Sequence, residues 1–158
     1  MKKIDFTIRR ATQKDSETIV DLRLKLDAFE LRFNRMHQVP TRAELLRLTP
    51  GYIKDKSFFF FIAEVDGKPV GFSAASMKKD IHTKKRKASL DAIWVEPKYR
   101  KQGIAHALTD ARLKALSKYK LDKISVYIRP DNTPSQENIK SFGGKHTYNV
   151  YEFKPKKK

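Results

Sequence analysis

No cysteine occurs in the 158 residues, so disulfides and thiolate metal sites are excluded and nothing argues for an oxidising compartment. No apolar run approaches the roughly 20 residues that span a bilayer. The opening Met1-Lys2-Lys3 leads into mixed polar residues and lacks the apolar segment of a secretory signal. Metal-ligand spacing is missing too. His37, His82, His106 and His146 are scattered and read as surface or hydrogen-bonded histidines, so no metal is expected. The default location is the cytoplasm, with no membrane partner. Acidic residues are scarce, 18 against 35 Lys and Arg, which leaves a net charge of +17. Such a field attracts nucleic acid, anionic membranes, acidic proteins or a phosphorylated cofactor, and it also serves solubility. Charge alone does not choose among them.

What is present suits one domain over residues 1–154, followed by a basic, disordered tail at 155–158. Ile4 to Arg10 alternates as a strand through Ile4, Phe6 and Ile8. Thr12 and Asp15 resemble a helix cap, and Ile19, Leu22, Leu26 and Phe29 recur at helical spacing to about Phe33. A second helix starts near Thr41 and is interrupted at Thr49-Pro50-Gly51. Ser57 to Val65, with Phe58-Phe59-Phe60-Phe61-Ile62-Ala63, lacks alternation and predicts a strand covered on both faces. Asp66-Gly67 signals a hairpin turn into a strand from Lys68 to Met77. Lys78 to Lys87 reads as a solvated basic connection. Strands follow at Ala88–Val95, Lys123–Arg129 and Tyr148–Phe153, with helices at Ile104–Ser117 and from Thr133 to Gly143-Gly144. The order β-α-α-β-β-β-α-β-α-β predicts an α+β fold: a single mixed, mostly antiparallel sheet with helices on both faces.

The chemistry concentrates between Leu90 and Leu116. An apolar strand, Leu90-Asp91-Ala92-Ile93-Trp94-Val95, runs into the turn Glu96-Pro97-Lys98-Tyr99, then Arg100-Lys101-Gln102-Gly103-Ile104-Ala105 opens a helix. A strand-to-helix junction carrying a glycine leaves successive backbone N–H groups unpaired at the positive end of the helix dipole, which suits a phosphate. No Gly-Lys-Ser/Thr follows, so this is not a nucleoside-triphosphate loop. The spaced glycines of a dinucleotide fingerprint are absent as well. Taken alone, the hexad fits an ordinary turn as readily as an anion site.

Its surroundings add to it. From Leu90 through Leu108 the chain closely resembles motif A of the GNAT superfamily of acyl-CoA-dependent N-acyltransferases, with Arg100, Gly103 and Ala105 at the signature positions. Ile8-Arg9-Arg10-Ala11-Thr12, Ile62 to Phe72, and Asn132, Ser135 and Phe142-Gly143-Gly144 resemble further family marks in the same order. The resemblance implies acetyl-CoA as cofactor and an amine of a small molecule, peptide or protein as acceptor. It implies that backbone groups of Ile93, Trp94 and Val95 pair with the pantetheine arm in a cleft where two parallel strands part at a bulge. Backbone N–H groups of Arg100, Lys101, Gln102, Gly103, Ile104, Ala105 and His106 would hold the pyrophosphate, with the side chains of Arg100 and Lys101 reaching phosphate oxygens. Asn132 and Ser135 would line the opposite wall.

Acetyl transfer needs an amine stripped of its proton, so a general base or water chain is required. Asp91, on the bulged strand, is the first candidate; Glu64 and Ser89 are weaker ones. The Val95 N–H would polarise the thioester carbonyl. The family often has a tyrosine that protonates the departing thiolate where this chain has Ile139, so the acid is unassigned among Tyr148, Tyr151, Tyr99, Ser135 and water. That gap keeps open a CoA-binding module without catalysis, and the charge keeps open a nucleic-acid-binding protein. Asp27, Glu30 and Glu44 fall in the helical region that usually forms the acceptor site. A homodimer is compatible with the resemblance, and no residue argues for it.

Overall fold

A computed structural model describes residues 4–34, 38–153 and 155 of the chain. Five strands, β1 (Thr7–Arg10), β2 (Phe58–Val65), β3 (Lys68–Lys79), β4 (Arg86–Val95) and β5 (Lys123–Val126), form one sheet in sequence order. The first three neighbouring pairs are antiparallel, and β4–β5 is parallel. Among the described residues four α-helices complete the fold: α1 (Ser16–Glu30), α2 (Arg42–Lys54), α3 (Ile104–Leu116) and α4 (Thr133–Ser141).

The phenylalanine run behaves as its lack of alternation predicts. Phe59, Phe61, Ala63 and Val65 of β2 face Ile104, Leu108 and Leu116 of α3. Ile62 points the other way, with Phe72 and Trp94, against Ile19 and Leu22 of α1. Each such side chain contributes roughly 1.5–3 kcal/mol on burial, so β2 anchors both layers. Asp66 (φ 50°) and Gly67 (φ 71°) turn β2 into β3 with the two left-handed residues that a tight hairpin needs.

Several boundaries differ from the sequence reading. Helix α1 ends at Glu30, before Phe33, and β1 begins at Thr7. The expected break at Thr49-Pro50-Gly51 is absent, and α2 runs on to Lys54. Proline removes one backbone donor there, but Thr49 is buried, Gln13 Nε2 donates to the Pro50 carbonyl (3.3 Å), and Asp55 N–H closes the last turn on the Gly51 carbonyl (3.1 Å). The basic connection shortens to residues 80–85, because Asp80 caps its own turn at His82 and Thr83 and pairs with Lys87 (2.6 Å). The strand expected at Tyr148–Phe153 is not formed. Those residues have no ladder partner among the described residues, and Tyr148, Tyr151 and Phe153 are exposed. His37, Lys154 and Lys156 to Lys158 lie outside the described residues.

The entry to α1 is fixed by a charged network. Thr12 N–H and hydroxyl donate to Asp15 (2.7 and 3.1 Å), while Arg9 donates to Asp15 (2.7 and 2.8 Å) and to Glu64. The Arg9 hydrogen bonds hold the Asp15 carboxyl at about 2. A carboxylate depressed from 3.8 to about 2 contributes about 2 kcal/mol of stability above its unfolded pKa, and this is lost as pH falls toward 2. Asp15→Asn is therefore expected to lower unfolding free energy by about 2 kcal/mol at pH 6. Its difference from wild type shrinks toward zero near pH 2, as urea melts at the two pH values would record.

Candidate active site

Strand β4 is paired on its β5 side only from Lys87↔Lys123 to Leu90↔Val126. The sequence reading extended β5 to Arg129. Its stop at Val126 leaves the last part of β4 without a neighbour on that side and opens a cleft between two parallel strands. On the other side, Ala75 pairs with Leu90 and Ala74 with Ala92, so Asp91 is an extra residue with no partner. This is a β-bulge, which bends and twists the strand at the point where the cleft begins. Asp91 is exposed there.

Beyond the bulge the ladder decides which backbone groups face the cleft. Glu96 N–H donates to the Val70 carbonyl (2.8 Å), and antiparallel pairs alternate between bonded and non-bonded positions. Trp94, two residues back, thus turns its amide and carbonyl to β3. A Cβ on Gly71 would lie 2.7 Å from that carbonyl. Ile93 and Val95 turn theirs to the open side. Of the three residues expected along the pantetheine arm, Ile93 presents both backbone groups, Val95 presents its N–H, and Trp94 presents none.

After a 3-10 turn at Pro97–Tyr99, Lys101 (φ 60°) and Gly103 (φ 86°) adopt left-handed conformations, and α3 begins at Ile104. None of the six backbone N–H groups from Lys101 to His106 has a protein acceptor among the described residues. Successive unpaired N–H groups in such a turn form an anion-binding nest at the positive end of α3. A Cβ built on Gly103 meets nothing within 4 Å, so the cradle is open.

Arg100 is placed differently from expectation. Its N–H donates to the Pro97 carbonyl (3.3 Å), its Nε donates to the Val95 carbonyl (2.9 Å), and its guanidinium lies 4.6 Å from the Trp94 ring centroid. Its backbone N–H is engaged, so the run of free backbone N–H groups starts one residue later. Phe29 of α1 meets the Trp94 ring edge-on at 5.8 Å, and Lys25 pairs with Glu96. The end of α1 is thereby fastened to the end of β4.

Helix α4 packs beside α3. Asn132 Oδ1 accepts from Ser135 N–H (3.2 Å) as its N-cap, Asn138 Nδ2 donates to Thr109 Oγ1 (2.9 Å) on α3, and Ile139 packs into the core. The His106 ring stacks on Phe142 with centroids 4.3 Å apart. Among the weaker base candidates, Glu64 is bound to Arg9 on the β1 side of the sheet, two strands from the bulge. Ser89 lies on β4 just before the bulge. The three acceptor-side acids are also engaged: Asp27 with Arg23 (2.9 Å), Glu30 with Arg129, and Glu44 with the N-cap Thr41 (2.8 Å).

The sequence reading missed Thr109 and Arg112. Arg112 falls on the stripe Ile104, Leu108, Leu116 at spacing of four, so a charge in a buried row was the available signal.

A mixed sheet whose parallel strands part beside an N–H cradle defines the acyl-CoA N-acyltransferase fold that the motif resemblance implied. The model of the acetyltransferase (GNAT) family matches residues 25–143, and the chain belongs to that family. It is 31% identical over 101 residues, 60% of each chain, to an N-alpha-acetyltransferase of Sulfurisphaera tokodaii. It is 29% identical to an N-alpha-acetyltransferase of Saccharolobus solfataricus, over 68% of this chain and 74% of that one. The chain thus spans about 60% of the length of the first of these relatives. Among solved structures, an aminoglycoside acetyltransferase, AAC(6')-Iy, in complex with a CoA bisubstrate analogue superposes with a TM-score of 0.77 at 23% identity, covering 96% of this chain and 99% of that one. At that identity the likeness is one of fold. No helix among the described residues is long and apolar enough to cross a membrane.

Proposed function

We propose that the protein is an N-acetyltransferase that binds acetyl-CoA in the β4–β5 cleft and acetylates the α-amine of a peptide. One observation carries the cofactor assignment: six unpartnered N–H groups around an open glycine, continuous with the free backbone edge of Ile93 and the free N–H of Val95. A pyrophosphate joined to an extended amide arm matches that donor set. The nest takes the anion, and the strand edge takes the amides. Acetyl-CoA when bound supplies an acetyl thioester at the bulged end of β4.

The chain's own residues then have distinct tasks. Asp91 takes the proton from the incoming ammonium, directly or through one water, which frees the nitrogen lone pair. Val95 N–H donates to the carbonyl oxygen on which negative charge grows. Lys101 to His106 anchor the far end of the cofactor, and Asn132 and Ser135 shape the α4 wall. The Ile139 side chain has no proton to give, so the leaving thiolate is protonated by solvent or departs as such.

The acceptor class follows from charge. A polycationic sugar would need free carboxylates on the acceptor side, whereas Asp27, Glu30 and Glu44 are all engaged within the fold. A peptide carrying a single amine fits this surface better, and both archaeal relatives are described as N-alpha-acetyltransferases. A cytoplasmic setting, where acetyl-CoA is available, belongs to the same proposal.

Calorimetric titration with acetyl-CoA, followed by a thiol-release screen over peptides, lysine derivatives and aminoglycosides, tests the reading. Binding heat plus turnover on free peptide N-termini is the expected result. No heat and no thermal shift would remove the cofactor assignment. Binding without turnover on any acceptor would favour a non-catalytic CoA module, the reading that Ile139 keeps open.

A further inference from the structure

Beneath the bulge lies a buried cation that cofactor recognition does not use. Arg112 of α3 is only 2% exposed. Its Nη1 donates to the carbonyls of Ala74 (3.3 Å) and Ala92 (3.2 Å), the facing pair that bounds the bulge on β3 and β4. Its Nη2 donates to Thr109 Oγ1 (2.9 Å), which also accepts from Asn138 of α4 (2.9 Å). The Nε has no partner among the described residues, and no carboxylate is within ion-pair distance. Burial lowers the guanidinium to about 10, and the Asp91 carboxylate partly offsets that effect. Arg112 therefore stays charged at neutral pH.

An unpaired buried guanidinium is less stabilising than an apolar side chain of similar volume. The stripe Ile104, Leu108, Leu116 would accept a methionine at this position. Packing alone does not account for the residue. Its hydrogen bonds do: one nitrogen ties the two strands together where their register shifts, and the other ties that point to α4 through Thr109.

We propose that Arg112 is a positioning residue that pins the β3–β4 bulge, and so sets where Asp91 stands relative to the cleft and to α4. The proposal rests on the reading of Asp91 as the base. Without the pin, the bulge is free to fluctuate, and Asp91 no longer holds one position relative to the cleft.

The test compares wild type, Arg112→Met and Arg112→Lys by amide hydrogen exchange, acetyl-CoA titration and steady-state kinetics. In Arg112→Met, exchange at residues 90–93 is expected to quicken by about tenfold while the rest of β3 and β4 is unchanged. The kcat is expected to fall on the order of 10²-fold, the cost of a misplaced reacting group, with acetyl-CoA affinity kept because the cradle lies two turns away along α3. Arg112→Lys, still able to reach a carbonyl, is expected to recover part of kcat. Should the methionine variant not fold, Thr109→Val removes the same anchor and is expected to give a milder form of the pattern. Uniformly faster exchange with unchanged kcat would overturn the proposal, leaving Arg112 as packing. If wild type binds no acetyl-CoA the functional reading fails, and the exchange at residues 90–93 still decides whether the bulge is pinned.

Discussion

Gly103→Glu is expected to weaken acetyl-CoA binding on the order of a hundredfold while leaving the fold intact. Gly103 has φ 86°, where a side chain costs roughly 1–2 kcal/mol, and its missing Cβ points into open space at the mouth of the N–H nest. A glutamate there adds bulk and a negative charge where a pyrophosphate would lie. Strain and repulsion together are worth about 3 kcal/mol or more, which is on the order of a hundredfold in Kd. Wild type with ligand at about a hundred times its Kd gains roughly 2.7 kcal/mol, a rise of roughly 5–10 °C in Tm. The variant at the same ligand concentration should gain only about 0.4 kcal/mol, a rise of about 1 °C. Gly103→Ala separates the two effects, since its methyl group carries the strain without the charge. It is expected to weaken binding by about tenfold. An undiminished thermal shift in Gly103→Glu would move the pyrophosphate elsewhere.

Asp91→Asn is expected to lower kcat by about 10²–10⁴-fold, the range for loss of a general base, with acetyl-CoA affinity unchanged. The exposed bulge position has no cross-strand partner to lose, so Tm should move little. The pH profile carries more information than the rate at one pH. Without a base, the reaction depends on amine that has already lost its proton in solution, so the variant's kcat/KM should climb with pH and level off near the amine's own pKa. That plateau comes at about 8 for a peptide α-amine and above about 10 for a lysine side chain. Rate against pH in the variant therefore reports both the role of Asp91 and the class of acceptor. A variant with wild-type kcat at pH 7 would assign the proton to another group, and Ser89, beside the bulge on β4, would be the next to replace.

The electrostatics favour this division of labour. The net charge is +17, yet the proposed cradle is built from backbone N–H groups, and Arg100 Nε is bonded back to the Val95 carbonyl beside the Trp94 ring. In the proposed complex the pyrophosphate would be held by the backbone nest as well as by lysine side chains. The long-range field still steers an anionic cofactor toward the protein.

Much of this was readable from residue order, and the readable part has a common character. The strand from Leu90, the proline turn, Gly103 and the start of α3 are consecutive, so the spacing of the N–H groups is set by local backbone geometry that sequence encodes directly. Periodicity likewise placed α1, α3 and the two-faced β2, because burial of one stripe or of both faces leaves a pattern in the chain itself. Where the reading failed, the missing quantity was a partner. Tyr148 to Phe153 alternates as a strand does, yet a strand exists only where an edge receives it, and none of the described residues does so. Proline 50 breaks an isolated helix, but Gln13 and a buried Thr49 hold α2 through it.

The candidate site divides along the same line. The sequence by itself determined the family, the glycine-bearing junction that opens α3 and the place of Asp91 on β4, since these rest on short-range order. Only the tertiary structure decided that Asp91 is the unpaired residue of a bulge, that β5 stops at Val126 and opens the cleft, and that Arg100 Nε is bonded back to the Val95 carbonyl. It alone joined Arg112 to Ala74 across 38 positions, and it alone showed Asp27, Glu30 and Glu44 each held by a partner. The physical reason is that a charged side chain's role is set by what packs against it, and such neighbours come from distant parts of the chain that no local spacing records.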